Sequence, residues 1–401
     1  MKAGWETKRL DQLFRIGSSK RVLQSEWQSS GVPFYRGREI TQLAINGRVK
    51  NDLFITEKHY SELKNQYGVP SSGDIMITAI GTIGNAHIVR EVDRFYFKDA
   101  SVLWMKKTSD VNSKYIDSWL KSDMFFDQLD RGNGATVDTL TIQKLQSVTL
   151  CFPPLPEQQR IVGILDEAFA AIASAKAKAE QNLNNARALF ESHLNEVFSD
   201  HWKVSKIVSL ADLASDITDG DHLPPPKSPT GVPFITIGNI VKETHEIDFS
   251  DTFMVPQAYF NALKPNKRPR LGDVLYTVTG SFGIPVIVRD NAKFCFQRHI
   301  GLIRPKIDTN STWLYYLILS PQLLKQANEG ATGTAQKTVS LKLLRSFKVP
   351  MVDPLMQAHS VEKLDALLSQ TRRLESLYQR KIEELDALKK SLLEQAFKGE
   401  L

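Results

Sequence analysis

From the N-terminus to about residue 150, apolar residues come in short β-branched and aromatic runs broken by Gly, Pro, Asn and Asp. Such runs read as short strands. Asp74–Ile80, Ala86–Arg90 and Phe95–Met105 are examples, and a helical patch follows over Lys114–Asp130. From PPLPEQQR onward the pattern changes. No proline separates Pro156 from Phe198, and Gly163 is the one glycine between them. Leu165, Ala168, Ile172, Ala175, Ala179, Leu183, Ala186 and Leu189 recur there at three- and four-residue steps. That spacing predicts a single long helix with an apolar seam. Pro156 suits the first turn, where its missing N–H has no partner to lose, and Glu157 complements the positive end of the helix dipole.

The same pattern is then written a second time. GVPF begins at Gly31 and again at Gly231, an offset of 200 residues. GDIMITAIGTIG from Gly73 matches GDVLYTVTGSFG from Gly272, and GATVDTLTIQKL from Gly134 matches GTAQKTVSLKLL from Gly333, both at 199. Strand-like runs recur at Asp273–Thr279, Pro285–Arg289 and Phe294–Arg304, with a helical patch at Ser311–Asn328. A second long helix is predicted from Pro354, with Asp353 as its N-cap. Its seam runs through Leu364, Leu368, Leu374, Tyr378, Ile382, Leu385, Leu388 and Leu392. The period is far longer than a solenoid repeat, so this is a duplicated domain.

The segments expected are a globular domain over 1–152, a long helix over 153–199, a second globular domain over 200–350 and a second helix over 351–401. A lone helix of this length would leave its seam in water. Packing the two against each other about a pseudo-two-fold axis makes them antiparallel, a rod of roughly 55–60 Å. The fold class expected is α+β and internally duplicated: two globular domains joined by two long antiparallel coiled-coil helices with pseudo-two-fold symmetry.

Composition narrows the function. The chain has 401 residues, 42% hydrophobic and 24% charged, which is ordinary for a soluble globular protein. No apolar run approaches the length of a membrane span, and MKAGWETKRLDQLF has no apolar core for a secretory signal. Two distant cysteines, Cys151 and Cys295, suggest neither a disulfide framework nor a zinc cluster and fit a reducing cytoplasm. A phosphate-binding GxxxxGK[ST] loop, a GxGxxG turn, HExxH and a nucleophile elbow are all missing. His222 and His245 lie near acids, in DGDHLPPP and ETHEID, without a second-ligand pattern, and read as surface loops. The expectation is a chain without catalytic or metal-binding residues.

The net charge of +6 favours a polyanionic partner only weakly. Local features point the same way. Thr78, Gly81, Thr82, Gly84 and Asn85 lie in TAIGTIGNA, and Thr277, Thr279 and Ser281 in its counterpart TVTGSFGIP. Paired glycines let a backbone approach another surface, and hydroxyls can bond phosphate or base edges. A plain hairpin turn fits the same residues. Arg36, Arg38, Arg48 and Lys50 cluster near the first GVPF, and KPNKRPR supplies Lys264, Lys267, Arg268 and Arg270. Arginine can grip guanine bidentately, whereas lysine mostly neutralises phosphate. FCFQRHIG adds Gln297 and Arg298. The halves differ most in polar loops, where YRGRE faces TIGNI and KDAS faces QRHI. Two readers on one scaffold fit that pattern, and so does drift in exposed loops.

The repeated order of variable domain, GATVDTLTIQKLQSVTLCFPPLPEQQRIVGILD and long helix, ending in SLLEQAFKGEL, resembles the specificity subunit of type I restriction-modification systems over essentially the whole chain. The second junction, VPMVDPLMQAHSV, departs from the pattern: Gln357 stands where Gln158 does, but Pro-Pro and Glu are lost. The resemblance implies that each globular domain is a target recognition domain for half of an interrupted double-stranded DNA site. It further implies two methylation subunits on the helices, carrying S-adenosylmethionine, and two restriction subunits using ATP and Mg²⁺, with no cofactor on this chain. Half-sites about 10 base pairs apart centre to centre leave an unread spacer of about 5–8, set by helix length. A recognition subunit of a fused or modification-only system, a stand-alone DNA-modifying enzyme and a coiled-coil adaptor are the alternatives.

Overall fold

The computed structural model describes residues 4–129, 139–333 and 336–401. The repeat segment Gly134–Asp138 lies outside the described residues. The chain forms two compact units, Met1–Ala179 with Arg380–Leu401, and Glu180–Gln379. The 152/153, 199/200 and 350/351 limits mark changes of chain pattern. The compact units divide inside the long helices instead.

In the first unit, an antiparallel four-stranded sheet has the order Phe14–Gly17, Val102–Lys107, Ile75–Thr78, Ala86–Ile88. Ile75–Thr78 is buried at every position because both faces are covered, so it shows no polar alternation. A three-stranded sheet places Val32–Tyr35 between Phe54–Ile55 and Tyr96–Phe97, the latter pairing in parallel. Glu6–Arg9 and Thr149–Phe152 close a separate ribbon.

The second unit repeats this topology with Ala214–Asp219, Ile300–Pro305, Val274–Thr277 and Pro285–Ile287 in one sheet. Its three-stranded sheet is Phe253–Val255, Val232–Ile235 and Cys295–Phe296, and its ribbon is Lys206–Ser209 with Lys348–Met351. The recurrence of GVPF has a steric reason. Gly31 and Gly231 have φ of 126° and 139°, and a Cβ there would lie 2.4 and 2.0 Å from the carbonyl oxygens of Ile55 and Val255.

One expectation needs correction. Phe95–Met105 and Phe294–Arg304 are each two strands, in different sheets, joined by a turn. Ala100 takes a left-handed backbone, φ 62°, inside the first turn. The helical patches divide too, into Ser113–Leu120 with Asp123–Phe126, and Ser311–Leu319 with Pro321–Gly330.

The long helices run over Leu155–Val204 and Pro354–Lys398. The Asp353 carboxylate caps the second, accepting from the N–H groups of Leu355 and Met356 at 3.1 and 3.0 Å. Within the first unit the helix segments run antiparallel. Lys176 pairs with Asp386 at 2.7 Å, and Arg160 donates to the Leu401 carbonyl at 2.6 Å. Within the second unit Arg187 meets Glu375 at 3.0 Å and His201 meets Ser360 at 2.9 Å, again antiparallel. The helix ends are part of the globular cores. Leu393, Ala396 and Phe397 pack with Tyr115 and Trp119, while Leu194 and Phe198 pack with Trp313 and Leu314. Leu189, Leu374 and Leu388, expected in the seam, are exposed at 51%, 38% and 47%, because other residues of each helix cover the shared stripe.

Gln158 and Gln357 explain their own retention at two otherwise dissimilar junctions. Each is buried. Gln158 accepts from the Asn112 N–H (2.9 Å) and donates to the Pro153 carbonyl (2.8 Å). Gln357 does the same with Asn310 (2.7 Å) and Val352 (2.7 Å). One amide thus ties the helix start to the globular part in both units.

Candidate nucleic-acid interface

In the first unit three loops meet beside one helix. The Thr78–Ala86 loop is closed from within: Thr78 is fully buried, its hydroxyl donates to the Thr82 carbonyl, and it accepts from the Asn85 N–H at 3.1 Å. Thr78 therefore holds the loop and presents nothing to solvent, correcting its expected place at the surface. Gly81 and Gly84 both have positive φ, and a Cβ on Gly84 would come 2.9 Å from the Phe126 ring. Thr82 is exposed, with its hydroxyl 3.0 Å from that of Thr41, and the Asn85 amide donates to Thr41 at 3.3 Å. These contacts dock the loop on the helix Gly37–Asn46. Ala79 N–H donates to Ser101 O at 3.0 Å, which brings in the KDAS turn. Asp99 of that turn pairs with Arg21 at 2.8 Å, and Ser19 donates to Phe97 O at 2.7 Å.

The basic pair at the helix start is not free. Glu39 is fully buried. Its carboxylate accepts from Arg36 N at 2.9 Å, Arg36 Nε at 3.1 Å, Arg36 Nη2 at 3.0 Å and Arg38 Nε at 2.8 Å. Asp52 accepts from Arg36 Nη2 at 3.0 Å and from Arg38 Nη2 at 2.9 Å. Burial opposes ionisation of Glu39, but the two arginines outweigh it and its pKa lies below the usual carboxylate range. The Arg38 hydrogen bond likewise lowers that of Asp52. Arg48 and Lys50 are different. Both are exposed, and with Gln42, Asn46 and Val49 they line an open groove of about 550 Å³.

The second unit joins the corresponding two loops in the same way, with the 3-10 turn Ile237–Asn239 and the paired strands Ile240–Val241 and Glu246–Ile247 in place of the helix. Thr277 is buried, donating to Ser281 O at 2.9 Å and accepting from Ile284 N–H at 3.0 Å, so it too is internal. Thr279 is half-buried and bridges Thr338, while Ser281 is exposed. Val278 N–H donates to His299 O at 2.9 Å, joining this loop to the QRHI turn. There Gln297 is half-buried beside Asp221, and Arg298 is exposed. In the DGDH segment His222 is exposed on a loop, as expected, while Asp221 supports this turn. Arg298 N–H donates to Asp221 O at 3.1 Å, and Tyr259 donates its phenol to the Asp221 carboxylate. Burial, then that carboxylate, raises the Tyr259 pKa. Gly220 admits no side chain, since a Cβ would lie 1.9 Å from Phe296 O.

The KPNKRPR cations divide. Lys267 donates to Gly220 O at 2.9 Å and lies 3.4 Å from Asp221. Arg268 donates to the carbonyls of Asn261 and Leu263 at 2.5 and 3.0 Å, with its guanidinium 5.7 Å from the Phe260 ring centroid. Both hold the fold. Lys264 and Arg270 are exposed, and among the described residues neither side chain pairs with an acid, although the Arg270 N–H donates to the Asp273 carboxylate at 2.9 Å. Sequence reasoning missed Thr41, Glu39, Asp52, Asp221 and Tyr259. For Glu39 a signal existed, three residues after Arg36, the spacing of a capping box. For the others none did.

No group of three or more His, Cys, Asp or Glu among the described residues is placed to hold a metal. No helix among them is long and apolar enough to cross a membrane. A family model for the type I restriction modification DNA specificity domain matches residues 2–185 and again residues 199–384. The chain belongs to that family. As a specificity-domain protein it carries the domain twice, in step with the duplicated topology.

A putative type I restriction enzyme specificity subunit of Haemophilus influenzae, S.HindORF215P, is 33% identical over 150 residues, 37% of this chain and 36% of its own length. The EcoBI specificity subunit of Escherichia coli is 22% identical over 295 residues, covering 67% and 62%, and the EcoKI specificity subunit of strain K12 is 23% identical over 308 residues, covering 72% and 66%. The matches thus span from 36% to 66% of these curated relatives' own lengths.

Two solved structures share the fold. One, from work on complex assembly and conformational transition of the type I R-M system, has a TM-score of 0.80 at 20% identity and covers 100% of this chain and 99% of its own. The HsdS subunit from Thermoanaerobacter tengcongensis has a TM-score of 0.63 at 19% identity, covering 100% and 98%.

Proposed function

We propose that each specificity domain of this chain reads one half of an interrupted double-stranded DNA target, and that the chain brings methylation and restriction subunits to it. One observation carries this reading. The sheets and the joined loop pairs recur in both units, but the groups they present do not, and the helix Gly37–Asn46 of the first is replaced in the second by the 3-10 turn Ile237–Asn239 and a short hairpin. Arg36, Arg38 and Glu39 stand opposite Thr236, Gly238 and Asn239, and the KDAS turn stands opposite QRHI. A shared frame with unlike donors and acceptors is what two readers of different sequences require. Exposed Arg48, Lys50, Lys264 and Arg270 supply charge for the phosphates, while Thr82, Asn85, Ser281, Gln297 and Arg298 offer hydrogen-bonding groups for base edges or backbone.

The partners follow from family membership and from apolar residues the helices leave uncovered, Leu189, Leu374, Leu377 and Leu388. Two methylation subunits would dock there and carry S-adenosylmethionine. Two restriction subunits would supply ATP- and Mg²⁺-dependent cleavage. This chain itself would position DNA and perform no chemistry.

Co-expression with its methylation subunit, followed by methylome sequencing, tests the proposal. An asymmetric motif in two parts with an unread spacer is expected. Replacing Gln297 and Arg298 should change one part only. A continuous motif, or a motif indifferent to those replacements, overturns it.

A further inference from the structure

The four charges at Arg36, Arg38, Glu39 and Asp52 sum to zero, in a loop whose sequence reads as basic. The two acids engage Nε and Nη2 of both guanidiniums, leaving each Nη1 without a hydrogen bond among the described residues. Arg36 and Arg38 keep 28% and 53% of their side-chain surface in solvent, whereas Glu39 keeps none. A neutral cluster gives up little by way of counterion release on meeting phosphate. Oriented N–H donors, however, can discriminate base acceptors such as guanine O6 and N7.

We propose that Glu39 and Asp52 are positioning residues that turn Arg36 and Arg38 from phosphate ligands into a base-reading pair for the first half-site. This rests on the half-site reading above. The second unit is an internal control. There Thr236 donates through N and Oγ1 to Asn239 Oδ1 at 2.8 and 2.9 Å, keeping the same local cap with neutral groups. The cap serves the backbone in both units, and the charged version adds oriented donors in the first alone.

The test uses the full chain, purified with its methylation subunits, on randomised duplex DNA at several salt concentrations. Arg36→Thr with Glu39→Asn copies the second unit's pair and removes one charge of each sign. It should lower base discrimination at one half-site on the order of 5- to 100-fold while leaving the salt slope unchanged. Asp52→Asn frees one positive charge. It should relax the same positions, raise binding to random DNA and steepen the salt slope by up to about 0.9.

Unaltered discrimination in both variants overturns the proposal, as does a flatter slope in the double variant, which would make Arg36 a phosphate contact. Should the double variant melt early, the exposed Asp52 decides alone. Absence of any preference in the unaltered protein would instead refute half-site reading itself.

Discussion

Lys264 and Lys267 lie three residues apart in one basic run, and the structure predicts opposite consequences for removing them. Lys264 is exposed and free to neutralise a phosphate. Lys264→Ala should flatten the dependence of log K on log salt by about 0.9 for specific and random DNA alike. Between 50 and 200 mM salt the variant should then lose about 3.5-fold less affinity than the parent. Lys267 points inward, with its side chain 22% exposed, onto Gly220 O and Asp221. A hydrogen bond from a charged group contributes about 1.5–3 kcal/mol, reduced here by partial exposure to about 1–2 kcal/mol. In a unit of this size that lowers Tm by about 2–8 °C. Loosening Asp221 also loosens Gln297 and Arg298, so Lys267→Ala should alter preference at the second half-site with an unchanged salt slope. Binding isotherms on a half-site library, with calorimetric melting of both variants, separate the cases. Equal loss of slope in both variants, with sequence preference intact, would show that Lys267 leaves its internal partners for phosphate and refute the assignment.

Gln158→Ala strands the Asn112 N–H and the Pro153 carbonyl, costing about 2–4 kcal/mol, and hydrogen exchange should show the Asn112 amide losing protection; unchanged protection would count against the tie. Deleting Leu393–Leu401 removes Leu393 and Phe397 from the first core, a loss above about 5 kcal/mol, so that unit should melt early while the second is unaffected; unchanged melting would contradict the packing. His201 is buried against Ser360, and burial lowers its pKa. Its neutral form is therefore favoured by folding: the contribution is complete above the unfolded value of about 6.5 and is lost as pH falls below it. Stability of the second unit should drop as pH falls below about 6.5, and His201→Asn should flatten that drop in urea titrations at each pH. The purified chain, given S-adenosylmethionine or ATP with Mg²⁺ and DNA, should neither methylate nor cut; product at realistic enzyme concentration would make it an enzyme.

The sequence by itself determined the duplication, the two long helices and the Asp353 cap, because these rest on periodicity and short-range spacing. It showed that GVPF repeats, although the carbonyls that forbid a Cβ on Gly31 and Gly231 belong to Ile55 and Val255 on a neighbouring strand. It also determined the family, through the PPLPEQQR junction and the repeated motifs. Tertiary structure decided which cations are free. Arg36, Arg38, Lys267 and Arg268 look like Arg48, Lys50, Lys264 and Arg270 in the sequence. Whether each faces solvent or an acid or carbonyl depends on partners such as Asp52, 14 and 16 residues away, or Gly220, 47 residues away. The break in Phe95–Met105 was hidden for the same reason: its halves join different sheets, and β pairing is a contact between distant segments. Local pattern encodes what a segment can form; the charge a surface presents is a property of which distant segments it meets.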